Sequence, residues 1–190
     1  MMPIPYKPTT LTGLLILALA MTLSGCIKTP TDPGTDPPPN NDPNILSIPS
    51  ASGAPGDTGI MVNVNLHNVE AIGGLVLRIT YDSTVLTPSD TRFLAAIRSS
   101  GLEQNFNSFG TPGLITFLMY SSSDPLGKID IGDGPILHLL FDVKPSAQSG
   151  TSTISFNDNP NTPLQDNQLS DTLGMKVIFP QLQNSSFTVQ

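Results

Sequence analysis

Residues 60 to 67 read IMVNVNLH, and the alternation in this stretch decides the fold. Ile60, Val62, Val64 and Leu66 fall on one side of an extended chain, and Asn63, Asn65 and His67 on the other. Successive side chains of a strand point to opposite faces, so this is the pattern of a strand with one face in a core and one in water. The period returns in LVLRITYD (75–82), with Leu75, Leu77, Ile79 and Tyr81 inward, and in ILHLLFDV (136–143), with Leu137, Leu139, Phe141 and Val143 inward. STISFND (152–158) repeats it through Ile154 and Phe156, and NILSIP (44–49) and SSFTV (185–189) are shorter candidates. Turn-forming clusters separate these runs: GAPGDTG, AIGG, TPG, GDGP, SAQSG and DNPNTP. Short strands at close spacing with such punctuation predict an all-β sandwich or barrel. One segment departs from the pattern. In SDTRFLAAIRSSG (89–101), Ser89 or Asp90 is placed to cap a short helix that carries Phe93, Leu94 and Ile97 on one face, with Gly101 beyond its end.

Composition narrows the class. Fifteen acids against eight Lys and Arg leave a formal charge of −7 without a basic run, which argues against nucleic acid and against adhesion to anionic lipid. From Ile45 onward about 146 residues remain, enough for one domain with its own core.

The N-terminal portion reads differently. LTGLLILALAMTLSG (11–25) is apolar behind a stretch whose one charge is Lys7. It is shorter than the roughly 20 residues of a spanning helix and fits the apolar region of a secretory signal. Cys26 is the sole cysteine, and LSGC (23–26) resembles the lipobox of bacterial lipoprotein precursors. That resemblance implies cleavage before Cys26 and a diacylglycerol on its sulfur. A signal with an incidental cysteine, or an uncleaved anchor, is the alternative. Loss of residues 1 to 25 removes Lys7 and no acid, which takes the formal charge from −7 to −8. Several acyl chains on one residue hold a protein to a membrane far better than one does. Ile27 stands where an Asp typically signals inner-membrane retention in Gram-negative lipoproteins, so the resemblance implies the outer membrane or cell surface wherever the source has two membranes. Residues 27 to 44 contain prolines at 30, 33, 37, 38, 39 and 43 among Thr, Asp, Asn and Gly. Such a segment cannot bury enough apolar surface to fold. At about 3.1 Å per residue it reaches at most roughly 55 Å, which makes it a stalk. The expected layout is a signal over 1–25, a lipidated Cys26 with a Pro/Thr/Asp-rich linker over 26–44, and one domain over 45–190.

SGAPGDTGIMVNVNLHNV (52–69), LRITYDSTVL (77–86), LITFLMYSSS (114–123) and GDGPILHLLFDVKPSAQSGTSTISF (132–156) together resemble the successive strands and loops of a cohesin domain. Gly53, Gly56, Asp57, Tyr81, Asp82, Val85, Leu86, Asp133, Gly134, Phe141 and Val143 sit where the pattern of that family places them. The resemblance implies a nine-stranded jelly-roll β-sandwich, similar to that of carbohydrate-binding modules, and the short helix read above would fall between strands four and five. It also implies a non-catalytic module whose partner is a dockerin, a small domain that carries the calcium itself, so that no cofactor is expected here. Dockerins dock on the sheet of strands three, five, six and eight. Carried onto this chain, the outward positions are Gly74, Val76, Arg78 and Thr80 on strand three, and Thr116, Leu118 and Tyr120 running into Ser121 on strand six.

The residues support that face independently. LITFLMY is apolar in both phases, whereas a sandwich core needs only one. The surplus Leu118 and Tyr120 would form an exposed apolar patch of the kind that marks an interaction site. The alternative is that the segment 88–110 folds over them. There is also a departure from the family. Many cohesins place an Asn and an Asp on strand three and a Glu near the end of strand six; ungapped matching puts Gly74, Val76 and Ser121 there, so the usual polar part of recognition is missing.

Other chemistry finds little support. His67 and His138 fall on polar phases of strands, where a solvated role outweighs catalysis. No nucleophile elbow, phosphate loop or zinc spacing is present, and Asp57, Asp82 and Asp133 stand beside turns that Asp stabilises locally. DIGDG (130–134) and the Asn/Asp-rich stretch 157–171 offer oxygen ligands, but neither keeps the spacing of a calcium loop. Two further readings stay open: binding of polysaccharide, against which stand the absence of Trp and a count of three Tyr, and service as a spacer in an envelope complex.

Overall fold

A computed structural model describes residues 43–107, 111–122, 127–158 and 167–190, the side chains of 90–92 and 106–107 excepted. The expected signal, Cys26, the stalk as far as residue 42, the Asp90 cap and residues 159–166 of the Asn/Asp-rich stretch lie outside the described residues. Among the described residues no helix is long and apolar enough to cross a membrane.

The strand segments are β1 (Ile45–Ser47), β2 (Ala51–Gly53), β3 (Ile60–His67), β4 (Ile72–Tyr81), β5 (Leu86–Ala95), β6 (Glu103–Asn107), β7 (Leu114–Tyr120), β8 (Pro135–Val143), β9 (Gly150–Phe156), β10 (Gln168–Asp171), β11 (Val177–Ile178), β12 (Gln181–Gln183) and β13 (Ser185–Val189). They form two sheets. The first runs β12-β1-β3-β8-β5; the second runs β11-β10-β4-β9-β13-β2, with β7 on the other edge of β4 and β6 beyond β7.

These segments resolve into the nine strands of a jelly roll. The chain changes sheet between β1 and β2, at Pro49, which has no N–H to give to a ladder. It changes sheet again between β12 and β13, and the two switching strands run parallel, β1 beside β12 and β2 beside β13. β9 and β10 both pair with the same edge of β4, Phe156 opposite Ile79 and Gln168 opposite Val76, so they are one strand interrupted by an excursion. Counted in this way, the segments make nine strands, and β11 is an added hairpin partner.

The alternating phases fill the space between the sheets. Val62, Val64, Leu66, Leu77, Ile79, Leu137, Leu139 and Phe141 are buried, and Phe117 and Phe187 close the centre. Tyr81 packs on Phe141 at a ring separation of 5.2 Å. The corner that follows is built by Asp82, whose Oδ1 accepts from the Thr84 N–H at 2.8 Å and the Thr84 hydroxyl at 2.6 Å. Those bonds, the side-chain one foremost, hold the Asp82 carboxyl below its ordinary 3.8. A carboxyl depressed on folding adds stability that is present above the unfolded value and is lost as pH falls through the folded one. Asp82 is partly exposed to solvent, so the effect is small, under about 0.5 kcal/mol. The urea midpoint of the parent is therefore expected to fall slightly more than that of Asp82→Asn between pH 6 and pH 2.5. Equal falls would deny the link.

The short helix expected over 89–101 does not form. Residues 86–95 pair with β8 from Leu86 opposite Val143 to Ala95 opposite Leu137, with an irregularity between Pro88 and Phe93. Only one turn of 3-10 helix, Ile97–Ser99, follows. Phe93 meets Phe117 edge-on at 5.6 Å, while Leu94 is 45% and Ile97 93% exposed, so the three share no face. Ladder bonds to a central strand outweigh the helical spacing of a few apolar residues.

Arg98, on that turn, ties one end of the sandwich together. Its Nη1 donates to the carbonyls of Leu66 (2.6 Å) and Gly134 (3.1 Å), and its Nη2 donates to Asn68 Oδ1 (2.6 Å) and the Asp130 carbonyl (3.0 Å). The oxygen-rich segment DIGDG thus collects a guanidinium from within the chain.

Candidate functional site

The outer face of the second sheet is laid out in rows by the pairing register. Glu103 stands opposite Tyr120, Tyr120 opposite Gly74, Gly74 opposite Ser170 and Ser170 opposite Val177, so these five residues cross the sheet in one line. The next line is Asn105, Leu118, Val76 and Gln168, and the third sets Thr116 beside Arg78. Side chains in one line are cross-strand neighbours about 5 Å apart, and lines along a strand are separated by about two residues of rise. Six of the sequence-derived candidates, Gly74, Val76, Arg78, Thr116, Leu118 and Tyr120, are thereby brought into one patch.

The seventh, Ser121, lies past the end of β7. Its N–H bonds to the Gly73 carbonyl, and its buried hydroxyl has no partner. It borders a hollow of about 240 Å³ under the β10–β11 turn and does not join the rows.

The described part of that segment, residues 88–107, does not cover the patch. Its first part belongs to the opposite sheet, and β6 lies beside β7 in the plane of its own sheet. Leu118 and Tyr120 are accordingly 38% and 39% exposed. Between them and β10 runs a groove of about 160 Å³, walled by Val76, Leu118, Tyr120 and Val177 and floored by Gly74.

The groove depends on local chain architecture at each side. On the β10 side, Ser170 and Val177 are held by the β10–β11 hairpin, whose turn is closed by Asp171 Oδ1 accepting from the Met175 N–H (2.8 Å) and the Lys176 N–H (3.2 Å). Lys176 pairs with Glu70 through both carboxylate oxygens, at 2.7 and 2.9 Å. Gly73 lets the turn lie directly on β4, because a Cβ there would stand 2.6 Å from Thr172 Cα. On the β6 side, Glu103 receives the hydroxyls of Tyr120 (3.4 Å) and Ser122, which sets a carboxylate at the rim. At the break between β9 and β10, the Asn167 side chain repairs the ladder. Its Oδ1 accepts from the Arg78 N–H at 2.7 Å and its Nδ2 donates to the Asn157 carbonyl.

Sequence reading missed Glu103, Gln168, Ser170 and Val177. The signal for Val177 was present in LGMKVIF, where Leu173, Met175, Val177 and Phe179 alternate and are all exposed around a buried Ile178. Glu103 carried none, since its neighbours are set by register alone.

Away from this face, the polar groups serve the fold. His138 Nδ1 meets Asn63 Oδ1 at 2.7 Å, and His67 stands 3.9 Å from Asp133. Asp57 accepts from the Ala54 N–H and Asp142 from the Gly59 N–H, both at turns. Among the described residues no three His, Cys, Asp or Glu converge as metal ligands would.

The family model for the cohesin domain matches residues 45–175. Similar solved structures include the cohesin CaCohA2 of Clostridium acetobutylicum. Its solution structure aligns at TM-score 0.61 and 25% identity over 79% of this chain and 92% of that one. The same cohesin in complex with CaDoc0917 aligns at 0.64, over 77% and 99%. A type I cohesin–dockerin complex of Clostridium thermocellum, Coh-OlpA-Doc918, aligns at 0.65 with 20% identity over 78% and 100%. A non-cellulosomal cohesin of the archaeon Archaeoglobus fulgidus aligns at 0.61 with 18% identity over 78% and 92%. No curated protein matches the chain.

Proposed function

The chain belongs to the cohesin family, and on that premise we propose that it is a non-catalytic receptor that captures a dockerin-bearing partner through the outer face of β4 and β7. One observation carries the reading: Val76, Leu118, Tyr120 and Val177 form an apolar groove open to solvent on the outer face of the second sheet, and contiguous exposed apolar side chains of this kind mark interaction sites. The missing polar residues at Gly74, Val76 and Ser121 fit a contact that is more apolar than in many cohesins.

The proposal extends to the layout of the chain. Residues 1–25 act as an export signal, Cys26 carries the lipid, 26–44 form a stalk and 45–190 form the receptor. The protein is then held at the outer membrane or cell surface, with its groove within reach of soluble partners, and the partner serves polysaccharide breakdown. The few exposed aromatic rings of the described residues, Tyr120 and Phe179, lend a sugar-stacking role no comparable support.

The test is a pull-down from secreted and envelope proteins of the source, with the detergent-solubilised full chain as bait beside a Leu118→Asp, Tyr120→Asp double variant. The parent alone is expected to recover dockerin-bearing proteins, and chelation of calcium is expected to release them. Equal recovery by both baits would sink the assigned face, and recovery of no dockerin would sink the function.

A further inference from the structure

Two features of the face remain unexplained by a flat apolar contact. The first is Gly74. In a line of five cross-strand neighbours it contributes no side chain, and the gap between Tyr120 and Ser170 is the floor of the 160 Å³ groove. A Cβ there would meet Ser170 Oγ at 2.9 Å and the Met119 carbonyl at 3.3 Å, and its backbone angles are ordinary, so only modest adjustment separates Gly74 from alanine. Neither the turn nor the backbone demands the glycine; the slot is its consequence.

The second is Arg78, two lines along the same strand. It faces outward beside Thr116, yet its Nε–H is buried and has no acceptor. Among the described residues, Lys128 pairs with Asp130 and Lys176 with Glu70, whereas no acid meets Arg78. Among the described residues this guanidinium thus stands without an acid on the face offered to a partner, in a chain of formal charge −7. With its Nε–H turned inward, the guanidinium is left with its two Nη groups as a planar fork, which can bind a carboxylate through two parallel hydrogen bonds.

We infer that the partner presents two anchors to this face: an aliphatic side chain that enters the slot over Gly74, and a carboxylate that closes on Arg78. Four residues of β4 separate the two sites, about 13 Å at roughly 3.3 Å per residue. The slot supplies burial at the centre of the contact, and Arg78 sets its orientation, because a partner docked the other way round would set an aliphatic group against the guanidinium. The inference rests on the dockerin reading and specifies the chemistry of that same site.

The test uses a display library built on the dockerin scaffold of the Clostridium acetobutylicum complex, its surface positions randomised, selected in calcium on the detergent-solubilised full chain. Clones recovered by the parent are expected to carry an acid that Arg78 requires. Arg78→Glu should weaken them about a hundredfold, and exchange of the clone's acid for Lys should restore binding to that variant. Gly74→Leu should weaken them about thirtyfold and Gly74→Ala less, with thermal melting of each variant close to the parent's. Clones that fail on Leu118→Asp, Tyr120→Asp but ignore both Arg78→Glu and Gly74→Leu would overturn the two anchors and leave the dockerin reading in place. Loss on Arg78→Glu without rescue by Lys would overturn the carboxylate pairing. If no clone binds the parent, both the inference and the reading beneath it fall.

Discussion

Arg98→Met is expected to lower the melting temperature by about 10 °C without any change at the groove, the largest effect foreseen for a side chain that touches no partner. The guanidinium makes four hydrogen bonds, to Leu66, Asn68, Asp130 and Gly134, and three of the four acceptors are backbone carbonyls. Hydrogen bonds from a charged donor contribute about 1.5–3 kcal/mol each, and loss of the donor also strands its buried acceptors. The sum is not additive, since Gly134 O keeps the Leu66 N–H at 2.9 Å, so a net loss of about 3–4 kcal/mol is the reasonable expectation. The ladder cannot replace the donor locally. β3 and β8 shift register between Val64 and Asn65, and Pro135 at that shift has no N–H. Arg98→Lys should fall between the two, because a single ammonium keeps the charge but cannot span four acceptors. Differential scanning calorimetry of the three proteins decides it. A Met variant that melts within 2 °C of the parent would mean that water satisfies the loop as well as Arg98 does.

Gly73→Val is expected to cost about 2–3 kcal/mol and to weaken partner binding as well. A Cβ at residue 73 would lie 2.6 Å from Thr172 Cα and 2.8 Å from the Asp171 carbonyl, both backbone atoms that cannot swing aside. Relief requires the hairpin turn to lift from β4, which carries Val177 away from the groove it walls. The strain is local, so the exchange of the Met175 and Lys176 amides, now bonded to Asp171 Oδ1, should quicken far more than that of central β4 amides. Unchanged exchange at those two amides would show that the turn accommodates a side chain, and the role of Gly73 would have to be abandoned. The contrast with Gly74, one residue along, is informative. There the nearest atom to a Cβ is a serine hydroxyl, which can rotate.

The two glycines also show how far local sequence can be read. Both stand in AIGG, which reads as a turn, yet both lie inside β4. Glycine pairs are strong turn signals, but here the demand for close approach comes from a hairpin about a hundred residues later in the chain. Phe93, Leu94 and Ile97 failed for a related reason. Their helical spacing is real, but the ladder to β8 claims the chain through Ala95.

What the sequence by itself determined is the all-β class, the inward sets of β3, β4, β8 and β9, and the outward phase that holds Val76, Leu118 and Tyr120. Those follow from a period of two, which each segment expresses without reference to any other. What only the tertiary structure decided is which outward side chains become neighbours. Glu103 meets Tyr120, Val177 closes the groove, Arg78 stands without an acid among the described residues and Arg98 bridges four acceptors because of cross-strand register between segments far apart in the chain. Register is selected by burial of all the inward faces at once and by where each turn releases the next strand, so no single stretch of residues contains it.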